Sequence, residues 1–388
     1  MKKICFITTS RADFGTLDEL VKEAIKKKSF STQLIISGTH TNSIFGETAK
    51  EIINKKRYTI KKIKINVKNE NSYKVAKSFA ECIEKFSEIL KKTKPNLFIV
   101  FGDRYEMFAA TIAAYILRIP IAHIAGGEKT SGSIDEGFRH SITKLSNIHF
   151  PAMDIYKKRL IQLGEDPKTI FSFGSLNIEK IKKNKYLKKF QLEKKMKIKF
   201  YEKNLIFTYH PETVDINKSI KNLFIALKAL KKIKKTLIII TSPNADAQGI
   251  LMINFIKRYI KKNKIKNFLF YKSLGSQTYL SLLKIVDGVV GNSSSGVSEV
   301  PFFKIGTVNI GDRQKGRFIA KSVINCPVSE ASIINSINRI LSNKFKRKIK
   351  TKSKIYTDRN VAKKIIKRLL SFDFKKYNKK IFYDIKNR

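Results

Sequence analysis

The chain repeats one pattern along most of its length: a short apolar run ends in glycine or polar residues, and an amphipathic segment follows. Such runs occur at Lys3 to Thr8, Leu97 to Phe101 and Ile121 to Ile124, and again at Leu205 to Tyr209 and Thr236 to Thr241. Short apolar runs without strict alternation are typical of strands buried on both faces of a parallel sheet. Their alternation with helices predicts an α/β fold with doubly wound sheets.

The length of 388 residues exceeds what one hydrophobic core usually supports, so two domains are expected. A lysine-dense stretch with little apolar pattern, residues 181–203, is interpreted as a linker region. It separates a first Rossmann-like domain, residues 1–180, from a second, residues 204–360. Residues 361–388 are predicted to form a C-terminal helix and tail, which in proteins of this build often pack on the first domain. Two halves of similar size imply a cleft.

The composition excludes several classes of protein. No apolar stretch approaches the roughly 20 residues of a membrane helix, and the apolar part of the N-terminus is too short for a signal peptide. We therefore expect a cytoplasmic protein without a membrane partner. Cys5, Cys82 and Cys326 are isolated, which argues against a disulfide framework or a structural zinc site, and no other metal-ligand spacing occurs.

The charge balance is strongly basic, with 80 Lys and Arg against 31 Asp and Glu and a net charge of +49. The excess is mostly lysine, spread along almost every predicted helix, and it lacks the interleaved arginine and aromatic residues that base stacking needs. The prediction is therefore that nucleic acid is not a partner. Attraction of anionic substrates is an expected by-product.

Acidic residues follow the ends of two neighbouring predicted strands. Glu128, Asp135 and Glu136 come after the strand Ile121 to Ile124, and Asp103 follows the preceding strand. Because the carboxyl ends of parallel strands meet at one edge of a sheet, where open α/β sheets bind ligands, this coincidence favours a shared site. The alternative is that these residues cap helices or occupy first helical turns.

A serine-rich segment in the second half suits a diphosphate. Ser294, Ser295 and Gly296 lie where a helix is predicted to begin after the strand Gly288 to Val290, and unpaired backbone N–H groups there can bind an anion. Glu299, about one turn further, can accept hydrogen bonds from a ribose diol. The alternative is a serine-rich helix cap. Neither GxGxxG nor a Walker A sequence occurs, which argues against NAD binding and ATP hydrolysis.

Three further side chains are candidates for the same ligand. Arg11 follows the first strand, where a guanidinium can bind a phosphate in bidentate fashion. His210 ends another strand, and Arg313 lies in the polar loop Gly311 to Arg317. A surface arginine and a structural histidine are the alternatives, but together these positions describe a nucleotide-sugar cleft.

Six motifs occur in an order that resembles a known family, the hydrolysing UDP-N-acetylglucosamine 2-epimerases of sialic acid biosynthesis. Close relatives of that family act on UDP-N,N'-diacetylbacillosamine in legionaminic acid biosynthesis. The similarity runs from about Lys3 to Pro327, and the motifs are TSRADFG, GDRYE, HIAGGEKTSGSIDEGFRHSITKLS, YHPET, GNSSSGVSEVP and NIGDRQKGR.

The resemblance implies a GT-B-like pair of Rossmann-type domains with an interdomain cleft, in which the second domain holds most of the nucleotide. It also implies that Asp103, Glu128 and Asp135 are catalytic carboxylates. The UDP-binding residues that it implies are Arg11, His210, Ser294, Ser295, Gly296, Glu299 and Arg313. No cofactor or metal is expected. The protein is expected to form a homo-oligomer, either a dimer or a tetramer.

The implied reaction converts UDP-N-acetylglucosamine to N-acetylmannosamine and UDP, supplying the synthesis of sialic acid-type sugars. UDP is eliminated to give a 2-acetamidoglycal, which is then hydrated. The same reaction on UDP-N,N'-diacetylbacillosamine is the nearest alternative. Alternatives from other classes are a GT-B glycosyltransferase, which would not need three carboxylates in the first domain, and a nucleic-acid-binding protein.

Overall fold

The computed structural model describes residues 1–41, 49, 52, 58–65, 71–212, 218–243, 248–350, 359–377 and 379–385. The chain forms two compact units. Unit 1 comprises Met1–Glu128, Asp135–Lys180 and Ile355–Arg388, and unit 2 comprises Lys129–Ile134 and Ile181–Lys354. Each unit contains a six-stranded parallel sheet with flanking helices, so the predicted doubly wound α/β class is confirmed.

The sheet of unit 1 has the strand order 3-2-1-4-5-6. Its strands are β1 Lys2–Thr8, β2 Phe30–Ile36, β3 Thr59–Lys62, β4 Leu97–Phe101, β5 Ile121–Ile124 and β6 Ile148–Phe150. The order reverses between β1 and β4, and open α/β sheets bind ligands beyond the carboxyl ends of the strands at such a point. The fold therefore places the TSRADFG and GDRYE motifs, which follow β1 and β4, at this reversal.

Both faces of this sheet are covered, which explains the continuous apolar runs. Ile4 and Phe6 of β1 belong to one buried cluster, whereas Cys5 and Ile7 belong to a second cluster on the opposite face. The helices described up to Lys183 are α1 Arg11–Ile25, α2 Ser72–Thr93, α3 Tyr105–Ile116, α4 Asp135–Leu145, α5 Asp154–Gln162 and α6 Leu176–Lys183, and only the end of α6 belongs to unit 2.

The sheet of unit 2 follows the same plan, in the order 12-11-10-7-8-9, and reverses between β10 and β7. Its strands are β7 Lys203–Thr208, β8 Thr236–Thr241, β9 Phe268–Tyr271, β10 Gly288–Gly291, β11 Gly306–Ile310 and β12 Val323–Cys326. Its helices are α7 Lys189–Met196, α8 Ser219–Lys231, α9 Gly249–Lys262, α10 Ser276–Leu282, α11 Ser294–Ser298, α12 Glu330–Leu341 and α13 Asn343–Lys348.

The last helix, α14 Val361–Ser371, lies in unit 1 and packs on α1. Its apolar residues Ile365, Ile366 and Leu369 are buried in the same cluster as Leu17 of α1. The backbone N–H of Ala362, in the first turn of the helix, donates to Glu179 Oε2 at 2.8 Å. A buried carboxylate thus satisfies one of the donors that a helix leaves unpaired at its N-terminus.

Some predicted elements differ from the structure. The sequence also predicts a strand at Thr169 to Phe173, and this prediction is wrong, because Ile170 forms only an isolated bridge with His149. The edge strand β12 was not predicted. The sequence also predicts a helix at about Phe45 to Asn54, a range that falls largely outside the described residues. Residues 181–203 contain α7, whose Leu192 is fully buried, and they lie in unit 2.

None of the helices described is both long and apolar enough to cross a membrane.

Candidate functional site

The loop after β1 is built around the buried carboxylate of Asp13. Asp13 Oδ2 accepts hydrogen bonds from Thr9 N at 2.8 Å and Ser10 N at 2.9 Å, and Ser10 caps α1 in return. Burial raises the pKa of Asp13, although these hydrogen bonds and Arg104 oppose the shift. Arg11 is the first residue of α1, and its side chain lies outside what the structure describes.

A buried arginine that is not among the predicted site residues contacts the predicted acids. Arg139 on α4 is 1% exposed and makes three contacts, which define the Arg139 cluster. Its Nη2 donates to Asp103 Oδ2, and its Nη1 donates to Glu136 Oε2 at 2.9 Å and to the backbone oxygen of Glu128 at 3.0 Å. The structure thus brings Asp103, Glu128 and Glu136 to one guanidinium.

The charges of this cluster stabilise one another. Burial by itself lowers the pKa of Arg139, but the carboxylates of Asp103, Glu128 and Glu136 raise it, and the net shift is upward. Asp135, the third predicted acid, is the first residue of α4, the helix that carries Arg139. The alternative that Asp103 caps a helix does not hold, because the N-cap of α3 is Arg104.

A second buried carboxylate lies near Asp13. Glu106, in the first turn of α3, is fully buried, and its Oε2 accepts from Arg104 Nε at 3.2 Å. Burial raises the pKa of Glu106, and Arg104 opposes that shift. The sequence placed Glu106 in the GDRYE motif but offered no sign of its burial.

In unit 2 the buried side chain of Asn292 fixes the loop that carries His210. Asn292 Oδ1 accepts from His210 N at 2.6 Å, and Asn292 Nδ2 donates to His210 O at 2.9 Å. Arg313 Nε donates to Pro211 O at 3.3 Å, and Gln314 Nε2 donates to Asn292 O at 2.9 Å. His210 and Arg313 therefore meet around Asn292, where the strand order of this sheet reverses.

The serine-rich segment is held by a chain of hydroxyl groups. Ser295 Oγ donates to Glu299 Oε2 at 2.5 Å, and the hydroxyl of Tyr279 donates to Ser295 Oγ at 2.7 Å. Burial and the nearby Glu299 raise the pKa of Tyr279, so its hydroxyl stays protonated and donates. Ser295 thus orients Glu299, a role that the sequence did not indicate.

The geometry also modifies the interpretation of α11 as an anion site. The helix has only five residues, Ser294–Ser298, so its dipole is small, and its N-cap Ser293 accepts from Ser295 N. A Cβ at Gly296 would lie 2.9 Å from Thr307 Cγ2. Glycine is needed there for close packing of α11 on β11.

The segment between Glu128 and Asp135 belongs to unit 2 and lies against the loop that carries Arg313. Ser131 N donates to Lys315 O at 2.8 Å. A Cβ at Gly132 would lie 2.1 Å from Asp312 O, so any other residue would displace the backbone. The close approach explains the glycine in the TSGS sequence.

The described part of the chain shows no group of three or more His, Cys, Asp or Glu side chains with metal-binding geometry.

The chain matches a family model described as UDP-N-acetylglucosamine 2-epimerase over residues 22–370. It belongs to this family. It is 40% identical over 345 residues to a "GDP/UDP-N,N'-diacetylbacillosamine 2-epimerase (hydrolyzing)" of Campylobacter jejuni, covering 89% of each chain. It is 35% identical over 391 residues to "Polysialic acid biosynthesis protein P7" of Escherichia coli, covering 99% of this chain and 98% of that one. These findings place it among the hydrolysing 2-epimerases.

The fold agrees with the family. The crystal structure of a UDP-GlcNAc 2-epimerase from Neisseria meningitidis bound to UDP-GlcNAc matches with a TM-score of 0.77 at 19% identity, covering 95% of this chain and 100% of that one. The predicted GT-B-like class is confirmed. The family match and the curated relatives, rather than the fold, show that the chain is an enzyme with 2-epimerase activity.

Proposed function

We propose that this enzyme hydrolyses and epimerises a UDP-linked 2-acetamido sugar, with UDP-N,N'-diacetylbacillosamine as the first candidate. The observation that carries the proposal is the 40% identity, over 89% of both chains, to an enzyme named for that reaction. UDP-N-acetylglucosamine, which the motifs alone favoured, is the second candidate. The full-length similarity to a polysialic acid biosynthesis protein supports it.

The residues of unit 2 supply a nucleotide site of suitable chemistry. His210 and Arg313 are held around Asn292, and Glu299 is fixed by Ser295, so donors for the diphosphate and an acceptor for the ribose diol are oriented before UDP binds. Ser294 adds its backbone N–H group and its hydroxyl beside Gly296, and Arg11 is proposed to add a guanidinium. Oriented donors of this kind stabilise the negative charge that develops on a departing diphosphate.

The acids of unit 1 supply the proton transfers. The proton on C2 of the sugar is weakly acidic, so departure of UDP has to build positive character at C1 first. A carboxylate then removes the C2 proton and leaves a 2-acetamidoglycal. A second acid returns a proton to the opposite face of C2, while water adds at C1. Asp103, Glu128 and Asp135 are the proposed groups, and each transfer typically contributes about 10² to 10⁴ in rate.

The test is incubation of the protein with each UDP-sugar in D₂O, followed by NMR. The expected products are free UDP and a sugar with inverted configuration and deuterium at C2. An intact, epimerised UDP-sugar would contradict hydrolysis, and transfer of the sugar to an added acceptor would indicate a glycosyltransferase.

Kinetic measurements with the same two UDP-sugars distinguish between the candidate substrates. Parallel kinetics on the two UDP-sugars are expected to give a higher kcat/KM for the diacetylated compound. A higher value for UDP-N-acetylglucosamine would reverse the order of the two candidates and leave the proposed reaction intact.

A further inference from the structure

We infer that His123 is a positioning residue, which holds together the three segments that carry Asp103, Glu128 and Asp135. The inference rests on the proposed roles of those acids. His123 lies in β5, its side chain is fully buried, and it contacts neither UDP-binding residues nor the carboxylate oxygens by a hydrogen bond in the described structure.

The two ring nitrogens of His123 bind two different segments. Nε2 lies 3.0 Å from the backbone oxygen of Gly102, the residue before Asp103. A carbonyl oxygen only accepts, so Nε2 carries the proton. In a neutral imidazole the other nitrogen is then an acceptor, and Nδ1 accepts from the hydroxyl of Thr143 at 3.1 Å. Thr143 lies on α4, which begins at Asp135 and carries Arg139.

The third segment packs directly on the ring. A Cβ at Gly126 would lie 2.8 Å from His123 Nδ1 and 3.0 Å from Cε1, so the backbone there leaves no room for a side chain. Gly126 lies two residues before Glu128. One imidazole therefore sets the spacing of the chain before Asp103, the chain before Glu128 and the helix of Asp135.

The electrostatic surroundings keep this ring neutral. Burial, together with the charges of His149 and Arg139, lowers the pKa of His123 to about 3, although the bond to Gly102 and the charge of Asp103 oppose the shift. An imidazole with so low a pKa is a weak base near pH 7, and both of its nitrogens are already hydrogen-bonded. Its contribution is the fixed pair of hydrogen bonds.

The neighbouring strand offers a matched control. His149 lies directly opposite His123 in the register of β5 and β6 and is 1% exposed. Its Nε2 lies 2.8 Å from Glu165 Oε2, away from the Arg139 cluster. It shares the burial and the strand position of His123 but none of the three contacts.

The kinetic test compares His123→Leu, His123→Gln and His149→Leu. We expect His123→Leu to lower kcat about 10- to 100-fold with KM changed less than about threefold, because small displacements of reacting groups are costly. His123→Gln, whose amide can still donate to Gly102 O, is expected to recover most of that loss. His149→Leu should keep kcat within about threefold of the wild-type value, even if it lowers the thermal midpoint as much as His123→Leu does. Equal losses of kcat in both leucine variants would overturn the inference.

Hydrogen–deuterium exchange tests the same contacts without activity. His123→Leu is expected to accelerate exchange in peptides covering residues 102–106 and 125–129, and His149→Leu is not. Unchanged exchange in these peptides would overturn the inference whether or not the wild type hydrolyses a UDP-sugar. If the wild type hydrolyses neither UDP-sugar, the proposed function fails, and the exchange data still decide the role of His123.

Should His123→Leu not fold, Thr143→Val supplies the test. It removes one bond to the ring at nearly constant volume, and we expect kcat to fall about three- to tenfold with faster exchange in residues 125–129. No change in either measurement would overturn the inference.

Discussion

Arg139 shows how a single buried side chain can define a site. A guanidinium presents five donors in a planar fork, so it can bind Asp103, Glu136 and the backbone of Glu128 at once. In the sequence, Glu136 and Arg139 are three residues apart and suggest only a surface pair on a helix. The contact with Asp103 spans 36 residues and follows only from the packing of α4 on α3 and β5.

Replacement of Arg139 is expected to lower the free energy of unfolding. Arg139→Met leaves Asp103 and Glu136 without their buried cation, and breaking a buried ion pair in this way typically costs about 3 to 5 kcal/mol. Urea unfolding measures the loss. Arg139→Lys, which keeps the charge but not the fork, should lose less stability, and the exposed control Arg118→Lys should lose almost none. A loss below about 0.5 kcal/mol in Arg139→Met would contradict the described contacts.

The proposed catalytic acids lead to a prediction that separates chemistry from binding. Asp103→Asn, Glu128→Gln and Asp135→Asn are each expected to lower kcat by about 10² to 10⁴. Titration calorimetry should show UDP binding changed by less than about threefold, because the UDP-binding residues proposed in unit 2 are untouched. Three variants that all retain near-normal turnover would exclude this assignment.

Among the secondary-structure elements, the serine-rich turn at α11 and the edge strand β12 were predicted least well from the sequence. The sequence suggested a helix N-terminus for the diphosphate, but α11 is a single short turn, and the hydroxyl of its Ser295 is bonded to Tyr279 and Glu299. The edge strand β12 escaped prediction because its exposed Asn325 interrupts the apolar run. Short, partly polar edge strands lack the apolar run on which such predictions depend.

Variants of the serine-rich turn test nucleotide binding. Glu299→Ala and Ser294→Ala are each expected to raise the Kd for UDP by about tenfold, since loss of one hydrogen-bonding partner of a charged ligand costs about 1.5 kcal/mol or more. Ser298→Ala is the matched control, because Ser298 Oγ donates to Ser294 O within the same turn. Calorimetry should find its Kd nearly unchanged. Equal Kd values in all three variants and the wild type would exclude the proposed contacts.

The tail after α14 is anchored by a buried carboxylate that the sequence did not mark. Glu165 lies 2.8 Å from His149 Nε2 and 2.9 Å from Lys144 Nζ, and Lys380 of the tail pairs with it. Phe382 of the tail packs so closely on Gly164 that a Cβ at Gly164 would overlap its ring. These contacts hold Lys380 and Phe382 against Gly164 and Glu165, which precede them by more than 200 positions in the chain.

This anchor predicts a loss of stability in acid. Burial raises the pKa of Glu165, but the hydrogen bond from His149 and the charge of Lys380 outweigh it and lower the pKa from 4.5 to about 2. A carboxyl group whose pKa is lower in the folded state stabilises the protein fully above its unfolded pKa. That contribution, on the order of 3 kcal/mol, is lost as the pH falls from about 4.5 towards 2.

Measurement of the unfolding free energy between pH 7 and pH 2.5 checks this prediction. Glu165→Gln should be less stable at pH 7 and should show a flatter fall below pH 4.5, whereas the exposed control Glu84→Gln should follow the wild type. Parallel curves for Glu165→Gln and the wild type would contradict it.

For the whole molecule, the net charge of +49 is the dominant feature. Many lysines lie on exposed helix faces, and like charges at such density repel one another and oppose the compact state. We expect the thermal midpoint to rise by several degrees as NaCl increases from about 20 to about 300 mM, since salt screens this repulsion. A midpoint that does not change with salt, or falls, would contradict the prediction.

The sequence by itself determined the local features of this protein. Apolar runs predict eleven of the strands that the structure describes, and the motifs at the strand ends were sufficient to indicate the family. Besides the six strands named at the outset, these are Gln33 to Ser37, Thr59 to Val67, Ile148 to Phe150, Asn267 to Tyr271 and Ile305 to Ile310. Such features depend on neighbouring residues, so a linear pattern contains them. The predicted cleft between the halves and the catalytic roles of the acids remain predictions.

Tertiary structure decided which side chains meet. The Arg139 cluster, the contacts of His123 and the anchoring of the tail on Glu165 all join residues that are far apart in the chain. The free energy of each contact depends on burial, because a low-dielectric environment makes paired charges and hydrogen bonds strong and unpaired ones costly. No periodicity records that burial, and only the packed sheets and helices establish it.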